Sequence, residues 1–196
     1  VQPSLVFAPS GASTRLFGSL AALPVVPLPG RGRQCVQPVH LDDLCALLLA
    51  CIEHPDPPRR VVAAGPRPLE FREYLACLRR LMSLEPTWFL PVPMALARLG
   101  VRLGGALPGP GVDPETLDML QRGACADPGG MERLTGRPPR PPEQFTAPGG
   151  LHAFGLAARL DWLLPMMRLA LAAMWIATGL VSLGIYPVHD SLALLA

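Results

Sequence analysis

His40, Asp42 and Asp43 stand together with Cys35 and Cys45 close by on either side, a grouping of side chains that could do chemistry. An imidazole beside two carboxylates could work as an acid/base cluster, and with a neighbouring thiolate it could enter the shell of a metal ion. A plainer use competes with both. Asp42 or Asp43, at the head of a leucine-rich run, caps orphan N–H groups and faces the positive end of a helix dipole, worth ~1 kcal/mol, and a histidine beside such a cap serves as a hydrogen-bond partner. The cap is the stronger reading, so neither a catalytic set nor a metal site is expected here.

Two lesser groupings have the same double character. Ser10-Gly11-Ala12-Ser13 could offer a helix N-terminus to an anion, or simply cap a helix. Arg98 and Arg102, one turn apart, could bind a phosphate or anionic lipid headgroups, or form the solvated side of a helix. The sequence holds no GxGxxG or GxxGxxG fingerprint, no Walker loop, no GxSxG elbow, no HExxH and no YxxxK.

The elements that must position these residues follow from periodicity. Val36–His40 reads as extended, and Leu44, Leu47, Leu48, Cys51 and Ile52 recur at helical spacing until His54-Pro55-Asp56-Pro57-Pro58 closes the run. Upstream, residues 1–7 are rich in β-formers, and Leu16, Phe17, Leu20 and Leu23 give a helix, capped by Ser10 or Ser13, that Pro24 stops. Val25–Leu28 is short and extended. Downstream, Arg60–Ala64 reads as a buried strand. Leu69–Met82 reads as an amphipathic helix with Phe71, Tyr74, Leu75, Leu78, Leu81 and Met82 on one face, and Arg72, Glu73, Arg79 and Arg80 away from it. Strand and helix therefore alternate over residues 1–82, the rhythm of an α/β layer architecture.

Beyond Pro86 the order changes. Thr87–Val92 is a short strand, Met94–Leu107 a helix and Pro114–Arg122 a short helix, while the prolines and charges of Gly129–Phe145 suit an exposed extended segment that ties down the end of a domain. Residues 146–160 are expected as a linker.

Composition sets limits on these elements. Of 196 residues, 50% are hydrophobic and 16% charged, and 25 are proline, over twice the usual share of about 5%. A net charge of +2 and the lack of any Lys/Arg block with interleaved aromatics exclude nucleic acid as a partner. The five cysteines show no CxxC pair, and four lie in apolar runs, so buried free thiols in a reducing compartment are expected. The chain begins without Met on a strand with nothing before it, which suggests an incomplete polypeptide.

Leu169–Tyr186 contains no charge and no proline, and it approaches the ~20 apolar residues needed to cross a bilayer. Trp162, Trp175 and Tyr186 could anchor at the interface, and Arg168 could snorkel. Arg133, Arg137, Arg140, Arg159 and Arg168 precede the span, and only His189 and Asp190 follow, so the positive-inside rule puts the α/β part on the cytoplasmic side of an inner membrane. A fully apolar perimeter would otherwise need a large surrounding core that a chain of this size cannot supply.

The succession QPSLVFAPSGASTRLF, LPVVPLPGRGRQCVQPVHLDDLCALLLACIE and VVAAGPRPLEFREYLACLRR resembles the C-terminal half of atypical or extended short-chain dehydrogenase/reductases of the NAD(P)-dependent epimerase type, over residues 1–145. Residues 161–196 are similar to the start of the DoxX-like membrane domain fused to some of these proteins. The resemblance implies a fold class of α/β type: the C-terminal portion of a Rossmann-like doubly wound fold with a small substrate-side subdomain, followed by a transmembrane helix. It also implies NAD or NADP as cofactor of the parent protein. The family strand that reads R-P-x-x-V-Y-G-P falls on residues 2–9, which would put Pro3, Ser4 and Leu5 on the nicotinamide side as cofactor-binding residues. Gln2, Phe7 and Ala8 replace Arg, Tyr and Gly, and Leu5 stands where a polar substrate contact is common, which argues against a sugar substrate. The VHLDDL match makes the Asp pair structural.

The fingerprint and Tyr/Lys pair of such proteins lie in the half this chain lacks, so the chain alone is expected to be inactive. Its expected partners are membrane lipid, an unidentified small-molecule substrate of the parent, and a protein in the membrane. The rival reading is a non-enzymatic, membrane-associated NAD(P)-binding or assembly module.

Overall fold

The computed structural model describes residues 1–104, 114–147 and 150–184. Frequent proline keeps the strands short, and they pair two by two. β1 (Gln2–Pro3) lies parallel to β6 (Val62–Ala63), and β2 (Val6–Phe7) lies parallel to β5 (Val39–His40). β3 (Val25–Pro29) lies parallel to β8 (Trp88–Val92), whereas β4 (Cys35–Val36) and β7 (Leu69–Glu70) are antiparallel. Helices α1 (Ala12–Ala21), α2 (Leu41–Glu53) and α3 (Phe71–Leu81) fall between strands as the alternation requires, and α4 (Met94–Gly104) and α5 (Pro114–Arg122) follow. The expected helix residues 105–107 lie outside the described residues.

Phe7, completely buried, is the centre of the main core. Its ring lies 4.7 Å from Phe145, 5.8 Å from His40 and 6.1 Å from Phe154, centroid to centroid, so one side chain joins the sheet to two distant parts of the chain. Phe17, Phe71, Tyr74, Leu75 and Leu78 extend this core between α1 and α3. A smaller cluster of Val39, Leu47, Val61, Ala63 and Met131 packs α2 against α6 (Gly129–Thr135).

Several local details depart from the sequence expectation. Helix α1 has Gly11 at its N-cap with no side-chain cap from Ser10 or Ser13; Thr14 Oγ1 instead accepts from the Ala8 N–H at 2.9 Å. Arg79, expected on the solvated side of α3, is buried. Its guanidinium donates to the carbonyls of Ala21, Leu23 and Glu85, which are left over at the end of α1 and in the turn after α3. Burial lowers its pKa from the ordinary value, and the charge of Arg159 adds to that. Gly129–Phe145 is extended only in part, because residues 129–135 form α6.

The last helix, α7, runs over Gly150–Gly184 and so includes residues 150–160 of the expected linker. Its first turns dock on the α/β body. A Cβ on Gly18 would lie 2.7 Å from Phe154 Cζ, so glycine there admits the ring, and Asp161 pairs with Arg15 at 2.8 Å. That pair raises the Arg15 pKa, chiefly through the hydrogen bond. Beyond Pro165 the helix leaves the body: Met166, Leu169, Leu171, Trp175, Ile176 and Leu180 are all more than half exposed. At about 1.5 Å per residue the whole helix is about 52 Å long, and it is long and apolar enough to cross a membrane. Tyr186, His189 and Asp190 lie outside the described residues.

Buried ionisable groups on α3 give the fold a defined response to alkali. Burial, reinforced by Glu143, pushes the Cys77 thiol above its ordinary value of 9.0, and burial followed by Cys77 raises the Tyr74 phenol strongly. Both remain protonated in the folded chain at pH values where the unfolded chain has ionised, so the folded state binds more protons and stability falls as pH rises. Urea midpoints in detergent should therefore be level up to pH 9 and decline above it, with Cys77→Ala removing the first part of the decline.

Candidate functional site at the ends of the parallel strands

Open α/β sheets bind ligands beyond the carboxyl ends of their parallel strands. β1 ends at Pro3 and β6 at Ala63, and the Ser4 N–H donates to the Ala63 carbonyl at 2.8 Å before the two chains part. Of the three residues expected to line the nicotinamide side, Pro3 is exposed. The Ser4 hydroxyl donates to the Ala124 carbonyl at 2.7 Å, and Leu5 turns into the main core.

The strand ends are held by a set of bonds centred on Gln37. Buried to 1% exposure, its amide donates from Nε2 to the Gly65 carbonyl at 2.7 Å and accepts at Oε1 from the Ala126 N–H at 2.8 Å. Gly65 approaches so closely that a Cβ there would lie 2.2 Å from the Pro38 carbonyl oxygen. Ala124 N–H donates to the Cys35 carbonyl at 2.9 Å, and a disulfide joins Cys35 to Cys125. The expectation of free buried thiols is thereby corrected: Cys77 is buried and free, Cys51 is intermediate and Cys45 is exposed. The fold brings Cys125 beside Cys35 across a separation of 90 residues, which spacing alone does not reveal.

The His40 cluster resolves into structure. His40 is itself the N-cap of α2, its Nδ1 accepting from the Asp42 N–H at 3.2 Å while Nε2 lies 3.3 Å from the Thr146 carbonyl, where a proton on Nε2 makes it the donor. The aspartates thus do not supply the side-chain cap, although both occupy the first helical turn. Asp43, 1% exposed, accepts from Arg137 at 2.7 Å and from the backbone N–H and Nε of Arg140 at 2.9 and 3.2 Å. Asp42 pairs with Arg140 at 3.2 Å. The carboxylate that resembled a catalytic acid is the anchor of the proline-rich segment.

Among the described residues no group of His, Cys, Asp or Glu could hold a metal ion. Arg98 of α4 pairs with Asp118 at 3.3 Å and Gln121 at 2.9 Å, beside an open cavity of about 360 Å³ lined by Asp118, Gln121 and Arg122. Arg102 lies one turn further along the same helix. Of the strand-end residues Pro3 to Leu5, Pro3 alone is exposed, and none carries a charge. They offer no glycine-rich cradle for phosphates. Gln37 and the Arg137/Arg140 anchor were missed; a lone amide inside Val36–Val39 was the available signal for the first.

No family model matches the chain, and no curated protein does. Among solved structures it is similar to RMD from Pseudomonas aeruginosa complexed with NADPH, at 12% identity and a TM-score of 0.50, over 80% of this chain and 46% of that one. It is also similar to UDP-glucuronic acid 4-epimerase from Bacillus cereus in complex with UDP-glucuronic acid and NAD, at 16% identity, a TM-score of 0.47, and coverage of 80% and 43%. A third is DesIV, a dTDP-glucose 4,6-dehydratase from Streptomyces venezuelae with NAD and TYD bound, at 18% identity, a TM-score of 0.47, and coverage of 81% and 42%. The first likeness shows the fold, a Rossmann-like α/β fold, and the chain spans just under half of that protein's length.

The anchor makes a stability prediction. Asp43→Ala should lower unfolding free energy by about 2–3 kcal/mol, less than the about 3–5 kcal/mol of breaking a fully buried pair because Arg137 and Arg140 remain partly hydrated. Asp42→Ala, at an exposed side chain, should change it by no more than about 0.5 kcal/mol. Denaturant titration in detergent measures both.

Proposed function

We propose that the chain is the substrate-side, C-terminal part of a membrane-anchored protein of the short-chain dehydrogenase/reductase type, related to NAD(P)-dependent epimerases. The observation that carries this is the fold likeness to a protein solved with NADPH, aligned over 46% of that protein. The ordered parallel pairs β1·β6 and β2·β5 support it. In this reading Pro3, Ser4 and Leu5 form the wall on the nicotinamide side: Pro3 presents surface, Ser4 is held by Ala124, and Leu5 braces the turn from the core. The cofactor, NAD or NADP, would supply hydride chemistry. Binding its phosphates and moving the substrate proton fall to residues that this chain does not contain, so the chain alone is inactive. Helix α7 is the anchor and the start of a DoxX-like region, with the α/β body on the cytoplasmic side.

One observation favours the second reading, a non-enzymatic NAD(P)-binding or assembly module. The polar side chains nearest the strand ends, Ser4, Gln37 and His40, are all engaged by backbone groups. A substrate would find few free partners on this side.

Titration with NADPH, followed by its fluorescence, separates these readings. The chain alone should show no saturable change, and co-expression with a fingerprint-bearing N-terminal half should restore one. Consumption of NADPH in that complex supports the enzyme, and binding without turnover supports the module. Tight, specific binding by the chain alone would overturn the assignment of the nucleotide site to residues elsewhere.

Sidedness needs its own test, because the Cys35–Cys125 disulfide pulls towards an oxidising compartment. Exposed Cys45 should react with a membrane-impermeant maleimide in permeabilised cells and not in intact ones. Labelling in intact cells would reverse the orientation.

A further inference from the structure

Contacts within the body fix the direction in which α7 leaves it. Phe154 meets Gly18 and Asp161 meets Arg15, so moving forward along α7 moves backward along α1, and the free half of α7 departs past the N-terminus of α1. Helix α3 runs the same way as α1: Phe17 faces Phe71 with ring centroids 5.4 Å apart, and Arg79 reaches the Ala21 carbonyl. The far end of β3 is tied to the head of α3, where Phe71 N–H donates to the Gln34 carbonyl at 2.8 Å and Arg72 N–H to the Gly32 carbonyl at 3.0 Å. Gly30 N–H in turn donates to the Val92 carbonyl at 2.7 Å, beside the start of α4. The loop of residues 30–33 and the first turn of α4 therefore lie at the end of the body from which α7 emerges.

That end combines cations with uncovered leucines. Arg31 and Arg33 are exposed and have no carboxylate partner among the described residues. Leu96 and Leu99 of α4 are 57% and 51% exposed, with Arg98 between them and, among the described residues, only Asp118 paired with it. Leucines flanked by guanidinium groups are the composition of a helix lying in a bilayer interface, where apolar side chains enter the acyl boundary and arginines meet phosphates. A protein partner suits it less well: two leucines and their neighbours fall far short of the about 800 Å² that each side of a stable protein interface buries. Such a small patch becomes effective when another element already holds the body at the membrane.

We propose that Leu96 and Leu99 of α4, with Arg31 and Arg33 of the adjoining loop, make a second contact with an anionic lipid surface, on the bilayer that α7 enters. This rests on the reading of α7 as a membrane anchor. Trp88, 85% exposed, begins the strand that ends at Val92 and so lies at the opposite end of the body; it stays in water.

The full chain, reconstituted into vesicles of phosphatidylglycerol and phosphatidylcholine with brominated acyl chains, tests this through single-tryptophan variants. With Trp88→Phe and Trp162→Phe, Trp175 reports on α7. Leu99→Trp in a background of Trp88→Phe, Trp162→Phe and Trp175→Phe reports on α4, and Trp88 retained alone is the control. Circular dichroism establishes that each variant is folded, and Leu96→Trp serves as the second α4 reporter if Leu99→Trp is not. The α4 reporter and Trp175 should each lose roughly half their fluorescence, while Trp88 keeps it. Arg31→Glu with Arg33→Glu, or vesicles of phosphatidylcholine alone, should reduce quenching at α4 roughly twofold and leave Trp175 unchanged.

A quenched Trp175 beside an unquenched α4 reporter overturns the second contact and leaves the anchor standing. A blue-shifted but unquenched α4 reporter identifies a protein surface instead and also overturns it. Quenching at α4 that ignores both charge reversal and lipid charge overturns the anionic part of the proposal. An unquenched Trp175 overturns the anchor and, with it, the second contact on the bilayer that α7 enters.

Discussion

The main core of this fold is gathered around the buried ring of Phe7. A fully buried ring at the end of β2 touches His40 at the head of α2, Phe145 at the end of the proline-rich segment and Phe154 in the first turns of α7. The strand is only two residues long and cannot by itself hold a layer together. Side-chain packing does so, because aromatic rings at these separations contribute beyond the area they bury. The polar contacts of His40 and Asp43 then set the register of elements that Phe7 has already gathered. The Asp43 anchor works in this way: it brings in segment 137–140, whose continuation delivers Phe145 to the ring.

The same economy governs the strand ends. Each polar side chain there is turned on a backbone group: Ser4 on Ala124, Gln37 on Gly65 and Ala126, and His40 on Asp42 and Thr146. A buried amide left unpaired costs about twice what a paired one contributes, so these bonds secure local shape. That requirement competes with catalysis, which needs groups free to exchange protons with a ligand. At Ser4, Gln37 and His40 the side chains serve shape, each held by a backbone group.

Alternation of strand and helix was legible because it rests on local spacing. The run from Leu69 to Met82 was read almost to its ends, since six apolar side chains at helical intervals leave little choice. Arg79 escaped that reading: a charge is normally on the outside, and only the fold shows three carbonyls waiting for it at the end of α1. Residues 129–135 were hidden by the prolines that follow them, although Gly136 in the left-handed region is an ordinary helix stop. The cysteine pairing and the two arginines on Asp43 depend on contacts about 90 or more residues apart in the chain, beyond anything periodicity carries. The cap of α2 stands where the sequence places it but on His40, because the sequence pattern favours Asp over the less common histidine cap.

Helix α7 has two halves of different character, and Pro165 marks the change from one to the other. Up to Asp161 it follows the rules of a soluble helix, with Phe154, Gly155 and Ala158 inward and Arg15 paired to its side. After Pro165 it presents large apolar side chains all round, which in water would be costly at about 25 cal/mol per Å². Proline removes one backbone bond at the point where tertiary packing ceases and is therefore least harmful where the helix has no partner to misalign. Because α7 leaves past the head of α1, it departs on the side where β2 and β5 end. The geometry that frees its apolar half thus turns the strand ends, with His40 and the loop after Phe7, towards the same side as that half, so any surface α7 enters faces the end of the sheet and not its back.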